Sequence, residues 1–279
     1  MLRLLHLADI HFGAENTLAA AAAVNYARSE PFDLLVLSGD VTQDGRSIEF
    51  EAAARWFAAL PGPKMVTPGN HDIPRAPLAR LFDPFGRYEK RFGPAGSAWF
   101  EAPGLAVRAF NTARGIQLRP NWSKGALASG QARAVAADLR RAPHGALRVA
   151  ACHHPLVEVP HGPMTGRVIG GPAGARLLAE AGVDLILSGH VHTPFAFPLP
   201  CGDGLTWSVG AATLSLRERG APAGFNVIEA GPGGVLVKAM GWTGSGFTVS
   251  RTWSFEGRRR QTESVAASAA LHPTLASKP

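Results

Sequence analysis

Histidine, acidic and amide side chains are concentrated in five short segments, each of which follows a predicted strand. These segments are Asp9-Ile10-His11, Gly39-Asp40, Gly69-Asn70-His71-Asp72, His153-His154-Pro155 and Gly189-His190-Val191-His192. Open α/β sheets bind their ligands beyond the carboxyl ends of the strands, so we expect the five segments to meet at one edge of the fold. Their donors are oxygen and nitrogen atoms, with no cysteine among them, which suits Mn, Fe, Zn or another borderline divalent ion. The pattern therefore predicts a metal site.

The spacing within two of the segments supports this prediction, although each segment alone has a simpler interpretation. A spacing of two residues recurs in Asp9/His11 and in His190/His192. Alternate side chains of an extended chain share a face, so both members of such a pair can reach one point. Taken singly, the segments could be a surface ion pair, a turn, a loop entry before Pro155 or a structural pair of histidines. The occurrence of all five at strand ends favours a metal site over these alternatives.

Hydrophobic patterning predicts the elements that must position these segments. Strands are predicted over residues 2–8, 33–38, 63–68, 105–110, 147–152 and 183–188. Helices are predicted over residues 16–29, 47–60, 129–141 and 172–181, with Asn16 and Ser47 as the N-caps of the first two. Residues 73–103 form a proline- and aromatic-rich stretch, and strands near 205–209, 223–229, 234–240 and 246–254 follow without helices between them. Strands that alternate with helices, followed by a meander of strands, predict an α/β (α+β) fold of two sheets, each covered by helices on one face.

The order of the motifs resembles that of the calcineurin-like metallophosphoesterase superfamily. Along the chain the order is Asp-x-His, Gly-Asp, Gly-Asn-His-Asp, His and Gly-His-x-His. The resemblance extends from residue 4 to about 196 and includes the segment GALASGQARAVAADL at 125–139. The sequence is most similar to the bacterial branch that contains class III cyclic-nucleotide phosphodiesterases and glycerophosphodiesterases. This resemblance implies a four-layer αββα sandwich of two mixed β-sheets flanked by helices, with a two-metal site at the strand ends.

The resemblance also implies a role for each residue of the motifs. The implied ligands are Asp9, His11 and His192 for one metal, Asn70, His153 and His190 for the other, and Asp40 bridging both. The two ions would be divalent or trivalent, with Mn, Fe and Zn as the candidates. His71, which with Asp40 forms the implied catalytic pair, would contact a phosphoryl oxygen and protonate the leaving group. Asp72 is expected to orient a partner or brace its loop, and His154 to support the ligands or face the substrate.

The reaction implied by the resemblance is phosphate-ester hydrolysis, in which metal-bound hydroxide attacks phosphorus in line with the leaving alkoxide. A simple count of ligand charges leaves the site at about +1, which attracts a phosphate ester. The favoured substrates are small phosphodiesters, either a cyclic nucleotide such as 3′,5′-cAMP or a glycerophosphodiester.

The sequence departs from the family pattern at the residue expected to support His71. Many phosphatase relatives carry Asp three residues after the Gly-Asp aspartate, where this chain has Gln43 followed by Asp44.

Three other functions are left open by the sequence. A phosphomonoesterase would use the same site with a different pocket. A nuclease is favoured by the net charge of +7 and by the arginines at 258–260, but the chain has no basic stripe with interleaved aromatic residues, which disfavours nucleic acid as a partner. A non-catalytic metal-binding scaffold is disfavoured because all seven implied ligands are present. The oligomeric state is not indicated.

Composition indicates the class of protein and its expected cellular location. With 46% hydrophobic and 18% charged residues, the 279-residue chain is typical of soluble globular proteins. The start, MLRLLHLADIH, does not resemble a signal peptide because His6 and Asp9 interrupt its apolar run. No run approaches the ~20 apolar residues that a membrane span needs. Only Cys152 and Cys201 occur, so no disulfide framework is expected and the cytoplasm is the expected location.

The chain is expected to contain one domain. Residues 1–256 are predicted to form a single metallophosphoesterase domain, and residues 257–279 a flexible, basic tail rich in Ala and Ser. Segments 73–103, 112–128 and 157–170 are expected to form the rim of the site. They contain four arginines that are candidate phosphate contacts, Arg75, Arg114, Arg119 and Arg167.

Overall fold

Twelve strands form the centre of the computed structural model, which describes residues 1–118, 121, 123–163 and 167–258. They are β1 (Leu2–Leu7), β2 (Leu34–Ser38), β3 (Lys64–Thr67), β4 (Trp99–Ala102), β5 (Leu105–Ala109), β6 (Leu147–Ala151), β7 (Leu185–Ser188), β8 (Phe195–Pro198), β9 (Trp207–Gly210), β10 (Gly224–Gly231), β11 (Gly234–Trp242) and β12 (Phe247–Phe255). The helices are α1 (Thr17–Ser29), α2 (Ser47–Ala59), α3 (Pro77–Phe82), α4 (Gly86–Phe92), α5 (Ser129–Arg140) and α6 (Gly171–Glu180).

The strands belong to two mixed sheets. The first has the order β12-β11-β10-β1-β2-β3, and β1 lies parallel to β2 but antiparallel to β10. The second has the order β4-β5-β6-β7-β9-β8, with antiparallel strands at both edges. The strands β1, β2 and β3 of the first sheet are parallel to one another, as are β5, β6, β7 and β9 of the second, so within each set the carboxyl ends lie at one edge. This arrangement puts the segments that follow β1, β2, β3, β6 and β7 close together.

Alternating side chains give the fold four layers. Leu4 and Leu34 of the first sheet pack with Leu105 and Val209 of the second, in a core between the sheets. Their neighbours in sequence, such as Leu5, point the other way and pack on α1 and α2. Side chains of β5, β6 and β7 pack on α5 and α6 in the same manner. The predicted αββα sandwich is confirmed.

The predicted elements are present, with their ends within two residues of the predicted positions. Asn16 caps α1 as predicted, its side chain accepting a hydrogen bond from the Ala19 backbone N at 3.1 Å. The prediction that Ser47 caps α2 is wrong, because the N-cap is Arg46. The buried Glu49 carboxylate accepts from the backbone N of Arg46 at 3.1 Å and of Asp44 at 2.8 Å, which satisfies these donors and makes Arg46, one residue before the predicted cap, the N-cap.

Four short elements were not predicted. Within residues 73–103 the chain forms α3, α4 and the edge strand β4, and β8 precedes the predicted meander. The strands β4 and β8 have only four residues each, and α3 buries none of its side chains. Such elements lack the apolar periodicity that reveals longer ones.

The described residues contain no helix that is long and apolar enough to cross a membrane. At the C-terminal end, Arg258 forms an ion pair with Asp203 and donates to Thr206 Oγ1 at 2.9 Å. The rest of the predicted tail, residues 259–279, lies outside the described residues.

Candidate metal centre

The seven predicted ligands meet in one buried cluster at the carboxyl ends of five strands. Each is at most 9% exposed: Asp9 and His11 after β1, Asp40 after β2, Asn70 after β3, His153 after β6, and His190 and His192 after β7. Burial of this many polar side chains is costly unless they are paired with each other or with a ligand. The cluster is therefore a candidate site.

One part of the cluster is formed by Asp9, His11 and His192. Asp9 Oδ1 lies 3.3 Å from His192 Nε2 and 3.7 Å from His11 Nε2. The two imidazole nitrogens, His11 Nε2 and His192 Nε2, are 3.2 Å apart. One donor atom of each residue lies within 4.8 Å of the others, so the three could hold one cation together.

Asp40 connects this part to the other. Its Oδ2 lies 3.7 Å from His11 Nε2 and 3.2 Å from His153 Nε2. Donor atoms of His153 and His190 lie within 4.8 Å of each other, and Asn70 lines the adjoining pocket beside His71. A carboxylate between two groups of nitrogen and oxygen donors can contact a cation on each side.

Unpaired polar atoms show that the cluster fits a metal. Among the described residues, these buried atoms have no hydrogen-bond partner: Asp9 Oδ1, His11 Nδ1, Asp40 Oδ2, Asn70 Oδ1, His153 Nε2 and His190 Nε2. Buried polar atoms are normally hydrogen-bonded, so several unpaired ones in one place need an explanation. Carboxylate, amide and imidazole donors of this kind are the ligands that borderline divalent ions prefer.

Hydrogen bonds to carbonyl groups orient two of the histidines for this purpose. His153 Nδ1 donates to the Ser38 carbonyl at 2.8 Å, and His192 Nδ1 donates to the Arg217 carbonyl at 2.7 Å. Because a carbonyl only accepts, the proton of each neutral ring lies on Nδ1, and Nε2 presents its lone pair to the cluster. Burial lowers the pKa of His190 to about 3, so the His190 ring is neutral at pH 7.

The charges of the cluster favour a cation. Burial by itself would raise the pKa of Asp9 and of Asp40, but the surrounding histidines hold both well below the usual value for a carboxyl group. Burial opposes protonation of His153, but the Asp40 carboxylate outweighs it and raises the pKa of His153 to about 9. The space between Asp40 and His153 therefore attracts positive charge, which either a proton or a metal ion can supply.

The backbone of the cluster differs from the extended chain that the spacing predicted. The residues with positive φ include Asp9 (55°), His11 (53°), Asp40 (50°), His190 (70°) and His192 (62°). The paired residues come together because the chain turns in the left-handed region, and the extended-chain explanation of their spacing is wrong. Such conformations cost on the order of 1–3 kcal/mol for a residue other than glycine and are frequent at functional sites.

Two glycines make the close approach possible. A Cβ atom at Gly69 would clash with Asp40 Oδ1, and a Cβ atom at Gly189 would clash with Asp9 Oδ2 and Ala8 Cβ. The glycines that precede Asn70 and His190 are therefore required by the contact between loops.

His71 lies at the edge of the cluster, with three hydrogen bonds. Its backbone N donates to Asp40 Oδ1 at 2.8 Å, and its Nδ1 donates to the Gln43 carbonyl at 2.6 Å. Its Nε2 lies 3.1 Å from an Arg217 guanidinium nitrogen. The support that relatives obtain from an Asp side chain at position 43 comes here from the backbone carbonyl of Gln43.

Asp72 and His154 support the cluster from outside. The fully buried Asp72 carboxylate accepts from the backbone N of Gly69 at 2.8 Å and of Thr42 at 2.9 Å, which ties together the loops after β2 and β3. Both ring nitrogens of His154 are already bonded, Nδ1 to Thr112 Oγ1 at 2.9 Å and Nε2 to the Ser123 carbonyl at 2.8 Å. His154 Nε2 thus points to protein and not to the substrate side, although the ring lies near His153 and His190.

A pocket of about 250 Å³ opens beside Asn70 and His71 and is lined in part by Arg75 and Arg80. Of the four arginines predicted at the rim, Arg75 therefore lines the pocket, where it forms an ion pair with Asp44 at 2.7 Å. The guanidinium of Arg114 is bonded instead to the Asn111 carbonyl and to Gln131 Oε1. Arg119 lies outside the described residues.

Sequence reasoning missed Arg217 and Arg219, which reach the cluster from the loop between β9 and β10. Besides the contacts of Arg217, an Arg219 guanidinium nitrogen lies 3.4 Å from the His190 carbonyl oxygen. Neither arginine stands beside a histidine or a carboxylate of the five motifs in the sequence, and therefore no local signal marked them.

Comparison with known proteins identifies the family. Residues 2–194, which contain all five motif segments, match the family model described as calcineurin-like phosphoesterase. A probable cyclic nucleotide phosphodiesterase of Synechococcus sp. is 28% identical over 236 residues, which cover 82% of this chain and 84% of the relative. The glycerophosphodiester phosphodiesterase GpdQ of Enterobacter lignolyticus is 32% identical over 81 residues, which cover 25% of this chain and 29% of the relative.

A solved structure shares the fold. Purple acid phosphatase from yellow lupin (Lupinus luteus) seeds superposes with a TM-score of 0.64 at 14% identity, covering 100% of this chain and 56% of the phosphatase. This chain thus spans about half of that phosphatase. The family match and the buried cluster at the strand ends agree: the chain belongs to the calcineurin-like phosphoesterase family and is a metal-dependent phosphoric ester hydrolase.

Proposed function

We propose that the protein is a phosphodiesterase with two metal ions, which hydrolyses small phosphodiesters such as 3′,5′-cAMP or a glycerophosphodiester. The observation that carries this proposal is the buried cluster in which Asp40 stands between two groups of donors. The similarity to a probable cyclic nucleotide phosphodiesterase over 82% of the chain supports a diester as substrate.

The proposed ligands follow the two parts of the cluster. One ion would be held by Asp9, His11 and His192 and the other by Asn70, His153 and His190, with Asp40 available to both. Mn, Fe or Zn is the proposed metal, since all the donors are oxygen or nitrogen. When bound, such ions activate a water molecule and polarise the phosphoryl oxygens.

The remaining side chains hold and orient the ester. His71, held by its bonds to Asp40 and to the Gln43 carbonyl, is proposed to contact the phosphoryl group and to assist departure of the leaving oxygen. This step requires Nε2 to exchange its contact with Arg217 for the ester and to carry a proton taken up from solvent. Arg75 and Arg80 line the adjoining pocket and favour an anionic ligand there.

The test is a substrate panel on the purified protein loaded with Mn, Fe or Zn. Bis(p-nitrophenyl) phosphate, 3′,5′-cAMP and a glycerophosphodiester should be hydrolysed with kcat/KM at least about 10-fold above that for p-nitrophenyl phosphate. Asp40→Asn, which keeps the shape of the side chain but removes its charge, is the matched inactive control. A preference for the monoester would indicate a phosphomonoesterase, and cleavage of single-stranded DNA alone a nuclease. Absence of turnover with all three metals would refute the proposal.

The compartment is a separate proposal. We propose that the protein acts in the cytoplasm, because Cys152 and Cys201 are both free thiols, which suits a reducing compartment. Fractionation of the source cells with an antibody should recover the protein with cytoplasmic markers, and recovery from an extracytoplasmic fraction would contradict it.

A further inference from the structure

Arg217 occupies a fixed position beside the candidate metal centre. It lies in the loop after β9, where Thr213 Oγ1 donates to the Asp9 carbonyl at 2.6 Å. The Ser215 backbone N donates to Thr213 Oγ1 at 3.0 Å, and the Arg217 backbone N donates to Ser215 Oγ at 3.2 Å. This chain of hydrogen bonds attaches the backbone of Arg217 to the segment that carries Asp9.

From this position Arg217 contacts two histidines on different elements. Its carbonyl accepts the hydrogen bond from His192 Nδ1 at 2.7 Å. One guanidinium nitrogen lies 3.1 Å from His71 Nε2 and 3.4 Å from Gln43 Oε1. A single residue thus touches the ring of a proposed ligand and the ring of the residue proposed to act on the ester.

The contact with His71 agrees with the tautomer that the Gln43 carbonyl sets. A guanidinium group only donates hydrogen bonds, so His71 Nε2 must accept, and the ring proton lies on Nδ1. That proton is the one donated to the Gln43 carbonyl at 2.6 Å. Arg217 and Gln43 therefore hold the imidazole from both sides in one orientation.

We propose that Arg217 is a positioning residue for ester hydrolysis. Its guanidinium fixes the orientation of the His71 ring, while its carbonyl fixes His192. The inference rests on the proposed function in so far as His71 takes part in hydrolysis. The competing interpretation is that the guanidinium binds the phosphoryl group directly and acts independently of His71.

Kinetics of the metal-loaded enzyme separate these interpretations. With bis(p-nitrophenyl) phosphate, Arg217→Gln should lower kcat by about 10- to 100-fold, the usual effect of removing a residue that orients a ligand or catalytic group. KM should change little, and Arg217→Lys should restore part of kcat because it keeps a donor. The control is Arg141→Gln, which removes an arginine whose side chain is 75% exposed on another element and should leave both constants unchanged.

A double-mutant cycle tests whether Arg217 acts through His71. In the His71→Ala enzyme the additional change Arg217→Gln should cause no further loss, because residues that act as one unit are not additive. If the two losses multiply, or if Arg217→Gln raises KM with kcat unchanged, Arg217 binds the ester directly and the proposal is overturned.

A measurement that needs no activity distinguishes failure of this inference from failure of the proposed function. In the Zn-loaded protein, ¹⁵N NMR of the His71 ring should show the proton on Nδ1 in both the wild type and Arg217→Gln, because the Gln43 carbonyl accepts it, and an Nε2 resonance that moves in Arg217→Gln because the hydrogen bond from the guanidinium is lost. An unchanged spectrum would overturn the role of Arg217, whatever the substrate. A changed spectrum in a protein that hydrolyses no ester would leave the positioning role intact and refute the proposed function.

Discussion

At the residue scale, a backbone carbonyl holds His71 where a side-chain carboxylate was expected. Relatives that carry Asp at position 43 have a carboxylate there, whereas here the Gln43 carbonyl accepts from His71 Nδ1 at 2.6 Å. The Gln43 side chain has a different contact, 3.4 Å from the Arg217 guanidinium. The loss of the carboxylate therefore need not impair the orientation of His71.

This difference leads to a prediction for Gln43→Ala. The substitution keeps the carbonyl and removes only the long contact with Arg217, so kcat should fall by less than about threefold. Removal of the ring in His71→Ala should cost about 100-fold or more, the usual range for loss of an acid–base group. Steady-state kinetics on bis(p-nitrophenyl) phosphate compare the two. Equal losses would show that the Gln43 side chain, not its backbone, supports His71.

The sequence predicted which residues gather but not how they are held. Asp9, Asp40 and His153 each follow a buried strand, and strand ends in parallel sheets meet, so their proximity was predictable. Arg217 is remote from the motifs and lies in an irregular loop, where no periodicity reveals a contact. The carbonyl groups of Ser38 and Gln43 leave no signature in side-chain identity either.

At the element scale, the turn after each strand decides the geometry of the site. The chain leaves β1, β2 and β7 through residues in the left-handed region, with Asp9, Asp40 and His190 among them. The strain is tolerable because the preceding strands are buried between two layers, which fixes the points at which the turns begin.

A pair of glycine substitutions tests the role of these turns. Gly189→Ala would place a Cβ against Asp9 Oδ2, so metal affinity should fall about 10-fold or more even though no ligand is changed. The matched control is Gly130→Ala in α5, where a Cβ meets nothing within 4 Å. That change should raise the free energy of unfolding by about 0.5–1 kcal/mol. Isothermal titration with Mn and thermal unfolding measure the two effects, and unaltered metal affinity in Gly189→Ala would contradict the account.

Elements differed in how well the sequence revealed them. The apolar runs of β1, β2 and β7 and the amphipathic pattern of α5 identify these elements directly. The N-cap of α2 depends on contacts of Glu49 that also involve Asp44, outside the helix, and the N-cap was therefore predicted one residue too late. Short edge strands such as β8 are defined by their partner strand and not by their own composition.

At the scale of the whole molecule, the two ends of the described chain share one sheet. β1 lies between β2, its parallel neighbour, and β10, which comes more than 200 residues later in the chain. This pairing supports our proposal that residues 1–256 form a single domain.

The proposal predicts the effect of truncation. A chain ended after Arg258, which keeps the ion pair with Asp203, should melt within about 2 °C of the full chain, because all core residues that the structure describes are kept. A chain ended before β11 should not fold, since it loses two strands of the first sheet together with their core residues. Thermal unfolding followed by circular dichroism gives the comparison. A large fall in melting temperature on removal of 259–279 would place the tail within the domain.

The central claim, that one carboxylate joins two metal sites, is tested most directly by anomalous diffraction from crystals soaked in Mn. We expect two peaks about 3.5–4 Å apart on either side of Asp40, one beside Asp9, His11 and His192 and one beside Asn70, His153 and His190. Asn70→Ala should weaken the second peak and leave the first. A single peak, or peaks away from Asp40, would contradict the account.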